Sequence, residues 1–147
     1  IVPEARYAAP GDGLDALTDP AFDPRTRVLL AAEPPPSQSQ PAADGSRVLS
    51  LQDGPNAVTI RASLDAPGTL VLADTWYPGW QATVDGEPAA LFEANHAFRA
   101  VHLEDGEHVV EMIYRPASVR IGAATSLTAM ALLIFGILAT HREKAQP

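Results

Sequence analysis

The densest run of chemically capable side chains is Asp74-Thr75-Trp76-Tyr77-Pro78-Gly79-Trp80. Three aromatic rings around a Pro-Gly pair offer flat faces for a sugar, and Asp74 offers acceptors for its hydroxyls. The same residues suit a strand-to-strand corner, with the tryptophans plugging a core and Gly79 at a backbone angle that other residues avoid. This structural reading is preferred. His96, His102 and His108 recur every six residues, a spacing that keeps one face of a strand, but a turn signal separates His102 from His108. No HExxH motif or carboxylate cluster accompanies them, so hydrogen-bonded or solvated histidines are expected rather than metal ligands. Asp74 and Asp85 flank a loop, yet in a chain with eighteen acidic residues such pairs arise by chance. The absence of cysteine removes thiolate nucleophiles, thiolate metal sites and disulfides together. No Gly-rich phosphate loop and no GxSxG elbow is present. The chain is therefore read as non-catalytic, with no cofactor and no metal.

The elements that position these residues have mostly strand signals. Residues 1–26 look irregular, with a short helix over Gly13–Thr18 closed by Asp19-Pro20. Arg27 to Ala32 reads as a strand, and the Pro-rich run 33–41 as an exposed linker that cannot join a ladder. Val58, Ile60, Ala62 and Leu64 alternate with polar residues, the period of a half-buried strand. Thr69 to Asp74 is mostly apolar and suits a central strand. Gln81 to Val84 runs into Asp85-Gly86, a tight-hairpin dipeptide. Ala97–Leu103 and His108–Tyr114 flank Glu104-Asp105-Gly106-Glu107 as a second hairpin. Six to eight short strands predict a mainly β fold, an antiparallel sandwich or jelly-roll-like domain over residues 27–118. Trp76, Trp80, Phe92, Phe98 and Tyr114 are expected to dominate its core.

Ile121 to Thr140 is a run of twenty uncharged residues, long enough to cross a hydrocarbon layer of about 30 Å. A transmembrane helix over 119–140 follows, with Arg115 and Arg120 before it and His141, Arg142 and Lys144 after it. Arg142 and Lys144 favour a cytoplasmic tail over 141–147, placing the β-domain on the other side; Arg115 and Arg120 weaken the contrast. Gly122, Ser126, Ala129, Leu133, Gly136 and Thr140 fall at alternating spacings of four and three, a seam of mostly small residues that lets another helix approach.

Residues 1–118 hold seven basic and seventeen acidic side chains, a net charge of −10. No basic stripe interrupts them, which excludes nucleic acid as a partner and disfavours contact with anionic lipid along the domain surface. The chain begins with Ile1 and shows no signal peptide, so a removed N-terminus or a longer parent chain is expected.

The stretch Leu70–Gly122 resembles the C-terminal end of the YfhO-like family of bacterial membrane proteins. The likeness rests on the corner Asp74 to Trp80, the hairpin Val84-Asp85-Gly86 and the run Asn95 to Ala100. It continues through Gly106 to His108 and Tyr114-Arg115-Pro116 before the last helix. Val2 to Arg6 and Asp19 to Arg25 resemble the family's upstream connection. The resemblance implies an extracytoplasmic β-domain on a final membrane helix of the bacterial inner membrane. It also implies kinship with lipid-linked-sugar glycosyltransferases or flippase-associated proteins of cell-envelope glycan modification. Their expected catalytic part is a multi-helix region that these 147 residues do not include, so activity does not carry over. The expected function is a non-catalytic, single-span subunit that packs against and stabilises a larger respiratory, photosynthetic or transport complex, with the bilayer and other transmembrane subunits as partners. The alternatives are a fragment of a YfhO-like glycosyltransferase, and a membrane-anchored carbohydrate-binding module using Asp74, Trp76, Tyr77 and Trp80, in which a glycan is the weaker partner.

Overall fold

The computed structural model describes residues 1–2, 4–8, 13–33 and 45–144, with side chains described as far as Phe135. Residues 34–41 of the Pro-rich run and 145–147 of the tail lie outside the described residues. The chain divides into two compact units, Ile1–Arg115 and Pro116–Pro147.

The first unit contains ten strands and one short helix among the described residues: β1 (Glu4–Tyr7), α1 (Gly13–Thr18), β2 (Arg27–Leu30), β3 (Arg47–Asp53), β4 (Ala57–Leu64), β5 (Gly68–Leu72), β6 (Trp80–Val84), β7 (Glu87–Ala89), β8 (Leu91–Ala94), β9 (Phe98–Leu103) and β10 (Gly106–Tyr114). They form two five-stranded sheets, β1-β2-β8-β9-β5 and β3-β4-β10-β6-β7. Every pairing is antiparallel except β1 with β2. The fold is mainly β, as the strand periodicities predict.

The main core draws on both sheets, which makes the unit a sandwich. Val58, Ile60, Ala62 and Leu64 of β4 and Val110 and Met112 of β10 meet Leu70 of β5 and Val101 and Leu103 of β9. Full burial of each large aliphatic contributes about 1.5–3 kcal/mol. A smaller cluster of Val2, Val28, Leu30, Ala94 and Ala100 lies on the other face of the first sheet. Consecutive residues of β9 thus serve different cores, Ala100 one and Val101 the other, as a two-residue side-chain period requires. Val2 and Thr69 exchange two backbone hydrogen bonds, 2.8 and 2.9 Å, joining the chain just before β1 to β5 at the far end of the sheet order. The first sheet therefore curls round the smaller cluster.

Four expectations need correction. Ala97–Leu103 and His108–Tyr114 do not form a hairpin: β9 and β10 lie in different sheets, so the short link between them is a crossing from one sheet to the other. The aromatic residues do not dominate the core: Trp80 packs at the margin of the main cluster and Phe92 and Phe98 at the margin of the smaller one, while Trp76 and Tyr114 are only half-buried. Aliphatic side chains and Met112 fill the centre instead. The run Thr69–Asp74 does not form a central strand; β5 stands at the end of its sheet and stays buried because Val2 covers its outer edge. The opening stretch is not irregular throughout, since Glu4–Tyr7 pairs with β2 in parallel.

The second unit is a single helix, α2 (Ala117–Lys144). Ala117–Phe135 has a mean hydropathy of 1.6, long and apolar enough to cross a membrane, and none of its residues is buried. Two of its threonines satisfy themselves: Thr125 donates to the carbonyls of Ile121 and Gly122, and Thr128 donates to that of Ala124. Hydroxyls closed onto the backbone cost little in a bilayer.

Candidate functional site

The corner between β5 and β6 carries the chain from the first sheet to the second. Trp80 N–H donates to Tyr77 O at 3.3 Å, with Pro78 and Gly79 as the two central residues. Gly79 has φ +115°. Proline second and a positive-φ glycine third is the arrangement of a type II turn, which a side chain at Gly79 would strain. The corner is tied down at both ends. Trp76 N–H donates to Ala97 O at 2.6 Å, and Arg115 N–H donates to Gly79 O at 2.7 Å. The rings of Trp80 and Tyr114 lie 5.3 Å apart at 44°.

Beneath the corner sits Arg99, whose side chain is 0 % exposed. Its Nη2 donates to Asp74 Oδ2, and its guanidinium carbon stands 3.7 Å from the centre of the Trp80 ring. Arg99 Nε and Nη1 have no hydrogen-bond partner among the described residues. A buried cation needs a counter-charge, and here the carboxylate and the ring face both supply one. Asp74 is half-exposed and also accepts from Thr75 N–H at 2.7 Å. Trp80 is therefore occupied on one ring face by Arg99. Tyr77 is 62 % exposed and Trp76 half-buried, so the aromatic residues do not present a common flat platform.

Asn95 explains the other half of the arrangement. It adopts φ +48°, and its neighbour His96 +68°. Asparagine tolerates that region better than most residues. Its side-chain oxygen accepts from Leu29 N–H at 2.9 Å while its own N–H donates to Leu29 O at 2.7 Å. This locks the β8–β9 turn against β2, fixes Ala97 O as the acceptor for Trp76, and sets Arg99 two residues on. Asp74, Trp80, Asn95 and Arg99 thus form one cross-sheet staple.

The histidines do not converge. His96 lies in the β8–β9 turn; His102 stands 3.4 Å from Glu104. His108 Nδ1 is 2.7 Å from Asp85 Oδ2. Among the described residues no group of three His, Cys, Asp or Glu side chains is placed to hold a metal. Asp74 and Asp85 do not act as a pair, each being committed to a different partner. Asp85, at φ +53°, closes the β6–β7 turn with Gly86 at +86°. Its Oδ1 accepts from Val109 N–H at 2.8 Å. That bond, followed by His108, holds the Asp85 carboxyl below its usual range.

A carboxylate whose folded-state pKa is depressed contributes stability above its ordinary value, about 4, and loses it as pH falls through the depressed one. Melting temperature is therefore expected to drop below about pH 4. Asp85→Asn should flatten part of that drop, modestly, because the group is exposed to solvent. Parallel acid profiles of parent and variant that superimpose would show that Asp85 has no part in it.

Of the seam on α2, Gly122, Ser126, Ala129 and Leu133 are all exposed. A side chain at Gly122 would meet nothing within 4 Å. Gly136 and Thr140 continue the helix, but their side chains lie outside those described.

The staple, the Asp-Gly hairpin and the start of α2 all fall within residues 47–126, the stretch matched by a family model described as bacterial membrane protein YfhO. The match covers more than half of the chain. The chain belongs to the YfhO family. No curated protein and no solved structure matches it. The YfhO match begins at β3 and runs into α2, so it takes in the whole second sheet and the strands that carry the staple. Asn95 and Arg99 are the members of this site that sequence reasoning missed, and Arg99 is the buried one. The signal lay in the alternation of β9, where Arg99 shares a face with Val101 and Leu103.

Proposed function

We propose that this YfhO-family chain is a non-catalytic module of a larger membrane assembly, with its β-domain outside the cytoplasm of a bacterial cell and α2 spanning the inner membrane. The observation that carries this reading is the commitment of the motif's chemistry to structure. Asp74, Trp80 and Arg99 hold the sheets together, and Asp85 and His108 close a hairpin. Among the described residues no group of three or more His, Cys, Asp or Glu side chains is placed to hold a metal ion. Helix α2, apolar and without a buried residue in Ala117–Phe135, supplies the surface for neighbours. Gly122, Ser126, Ala129 and Leu133 form the close-packing side, where small residues let a partner helix approach.

The absence of native cysteine gives a clean test. Single cysteines are introduced along α2, alkylated with a thiol-reactive benzophenone and irradiated in native membranes, so that the adduct forms by C–H insertion into whatever side chain lies against that position. Ala129→Cys is expected to give a discrete higher-mass adduct, and Leu127→Cys, off the seam, much less. Equal adduct yields at both positions would show that the seam is not the contact face.

Membership of the YfhO family supports a second reading, in which the module contributes to glycan modification as part of a larger glycosyltransferase. The two share the membrane placement and differ in whether transferase activity depends on residues outside this chain. A carbohydrate-binding role has less support, since Trp80 lends one ring face to Arg99.

A further inference from the structure

A cavity of about 290 Å³ opens between β1, β2, α1 and the turn after α1. Its walls include Arg6, Arg27, Asp19, Tyr7 and Phe22. Two of the seven basic residues of a strongly acidic domain therefore meet on one concavity. Glu4 holds them: its Oε1 accepts from Arg6 Nε at 2.5 Å and its Oε2 from Arg27 Nε at 3.2 Å. The Glu4 carboxyl is held below its usual range, first by Arg6 and then, against the cost of its own desolvation, by Arg27. A carboxylate shared in this way suppresses the repulsion between the two guanidiniums and fixes their direction. Each has spent its Nε–H, and the planar Nη donors suit a carboxylate or phosphate.

The same lining also carries the opposite charge. Asp19 uses Oδ1 to accept from Ala21 N–H at 2.9 Å, which shapes the turn, and it remains exposed. Tyr7, 52 % exposed, and Phe22, half-buried, add aromatic faces that attract cations and apolar bodies. Two cations, one anion and two rings within one small cavity match a ligand bearing both signs. A net-neutral ligand also escapes the long-range repulsion that a domain of this charge exerts on anions.

We propose that this cavity binds a small zwitterion with an apolar body, its carboxylate or phosphate on Arg6 and Arg27 and its ammonium on Asp19. A free amino acid and a zwitterionic lipid headgroup share that chemistry, and the probes separate them. The full chain in a maltoside detergent is titrated calorimetrically with L-phenylalanine, N-acetyl-L-phenylalanine, L-phenylalanine amide and glycerophosphoethanolamine, a net-neutral phosphodiester. The zwitterions are expected to bind about tenfold or more tightly than the N-acetyl and amide forms. Phenylalanine ahead of glycerophosphoethanolamine assigns the free amino acid, and the reverse order the headgroup; both support the site. Arg27→Gln should abolish saturable binding. Arg27→Lys, which keeps the charge and guards against a folding artefact, should weaken it. Asp19→Asn, which can still form the turn, should erase the preference over the N-acetyl form and leave that form's affinity unchanged. Absence of saturable binding by either zwitterion would overturn the proposal. So would equal affinity for the blocked forms, or binding indifferent to both Arg27→Lys and Asp19→Asn.

Discussion

Replacing Asp74 with alanine is expected to destabilise the β-domain by about 3 kcal/mol, the low end of the range for orphaning a buried charge. Asp74 is itself half-exposed, so losing it changes little on its own side of the pair. The cost arises at Arg99, which stays between the sheets with 0 % exposure and no opposing charge. The Trp80 face, 3.7 Å away, cannot replace a carboxylate. Arg99→Met should cost less, about 1 kcal/mol, because an unbranched apolar chain can fill similar space against Trp80 without needing a partner. The double variant Arg99→Met/Asp74→Ala should then be more stable than Asp74→Ala alone. That non-additivity separates a charge effect from simple loss of packing. Denaturant unfolding followed by tryptophan fluorescence reads it directly, since Trp80 is one of only two tryptophans. A double variant less stable than either single one would contradict the staple.

The second large effect concerns α2. Met130→Arg places a charge in the middle of Ile121–Thr140 on a helix with no internal partner for it. The expected penalty for membrane integration is about 2.5–3.5 kcal/mol, a shift of roughly a hundredfold in the inserted fraction. In the 147-residue chain the variant should be released by alkaline carbonate extraction, whereas Met130→Leu should remain in the membrane pellet. Retention of both would mean that α2 is held by something other than its own hydrophobicity.

Several elements were legible because local chemistry and tertiary environment agree. Alternation in Val58–Leu64 matches an eight-residue strand whose four apolar positions are all buried. Asp85-Gly86 supplies the two positive φ angles that the β6–β7 turn needs. Strand β3 was not legible. Its sequence Arg47–Asp53 lacks a period of two because the pairing with β4 shifts between Val48 and Ser50, and all seven residues are exposed, so no burial pattern is imprinted on it. The short strands β7 and β8, with only three and four residues, are too brief for periodicity to register.

The site was half legible for a different reason. The corner residues stand out by composition, and the structural reading of Pro78-Gly79 agrees with the turn observed there. Their purpose is set by Arg99, twenty-five residues from Asp74. A single arginine within a strand is ordinarily read as facing water. Only its place in the alternation with Val101 and Leu103 marks it as buried. The aromatics misled for the same reason: large rings suggest a core, whereas Trp80 is used as a lid over a buried cation.

As proposed, α2 and the β-domain form a module that works through its neighbours. The most direct measurement is the mass and composition of the native particle, extracted from its own membrane in mild detergent and analysed by native mass spectrometry. This chain is expected at fixed stoichiometry with at least one further membrane protein segment, and dissociation is expected when Ala129 on the seam is replaced by a bulky residue. A lone monomer under conditions that keep other membrane complexes intact would contradict it.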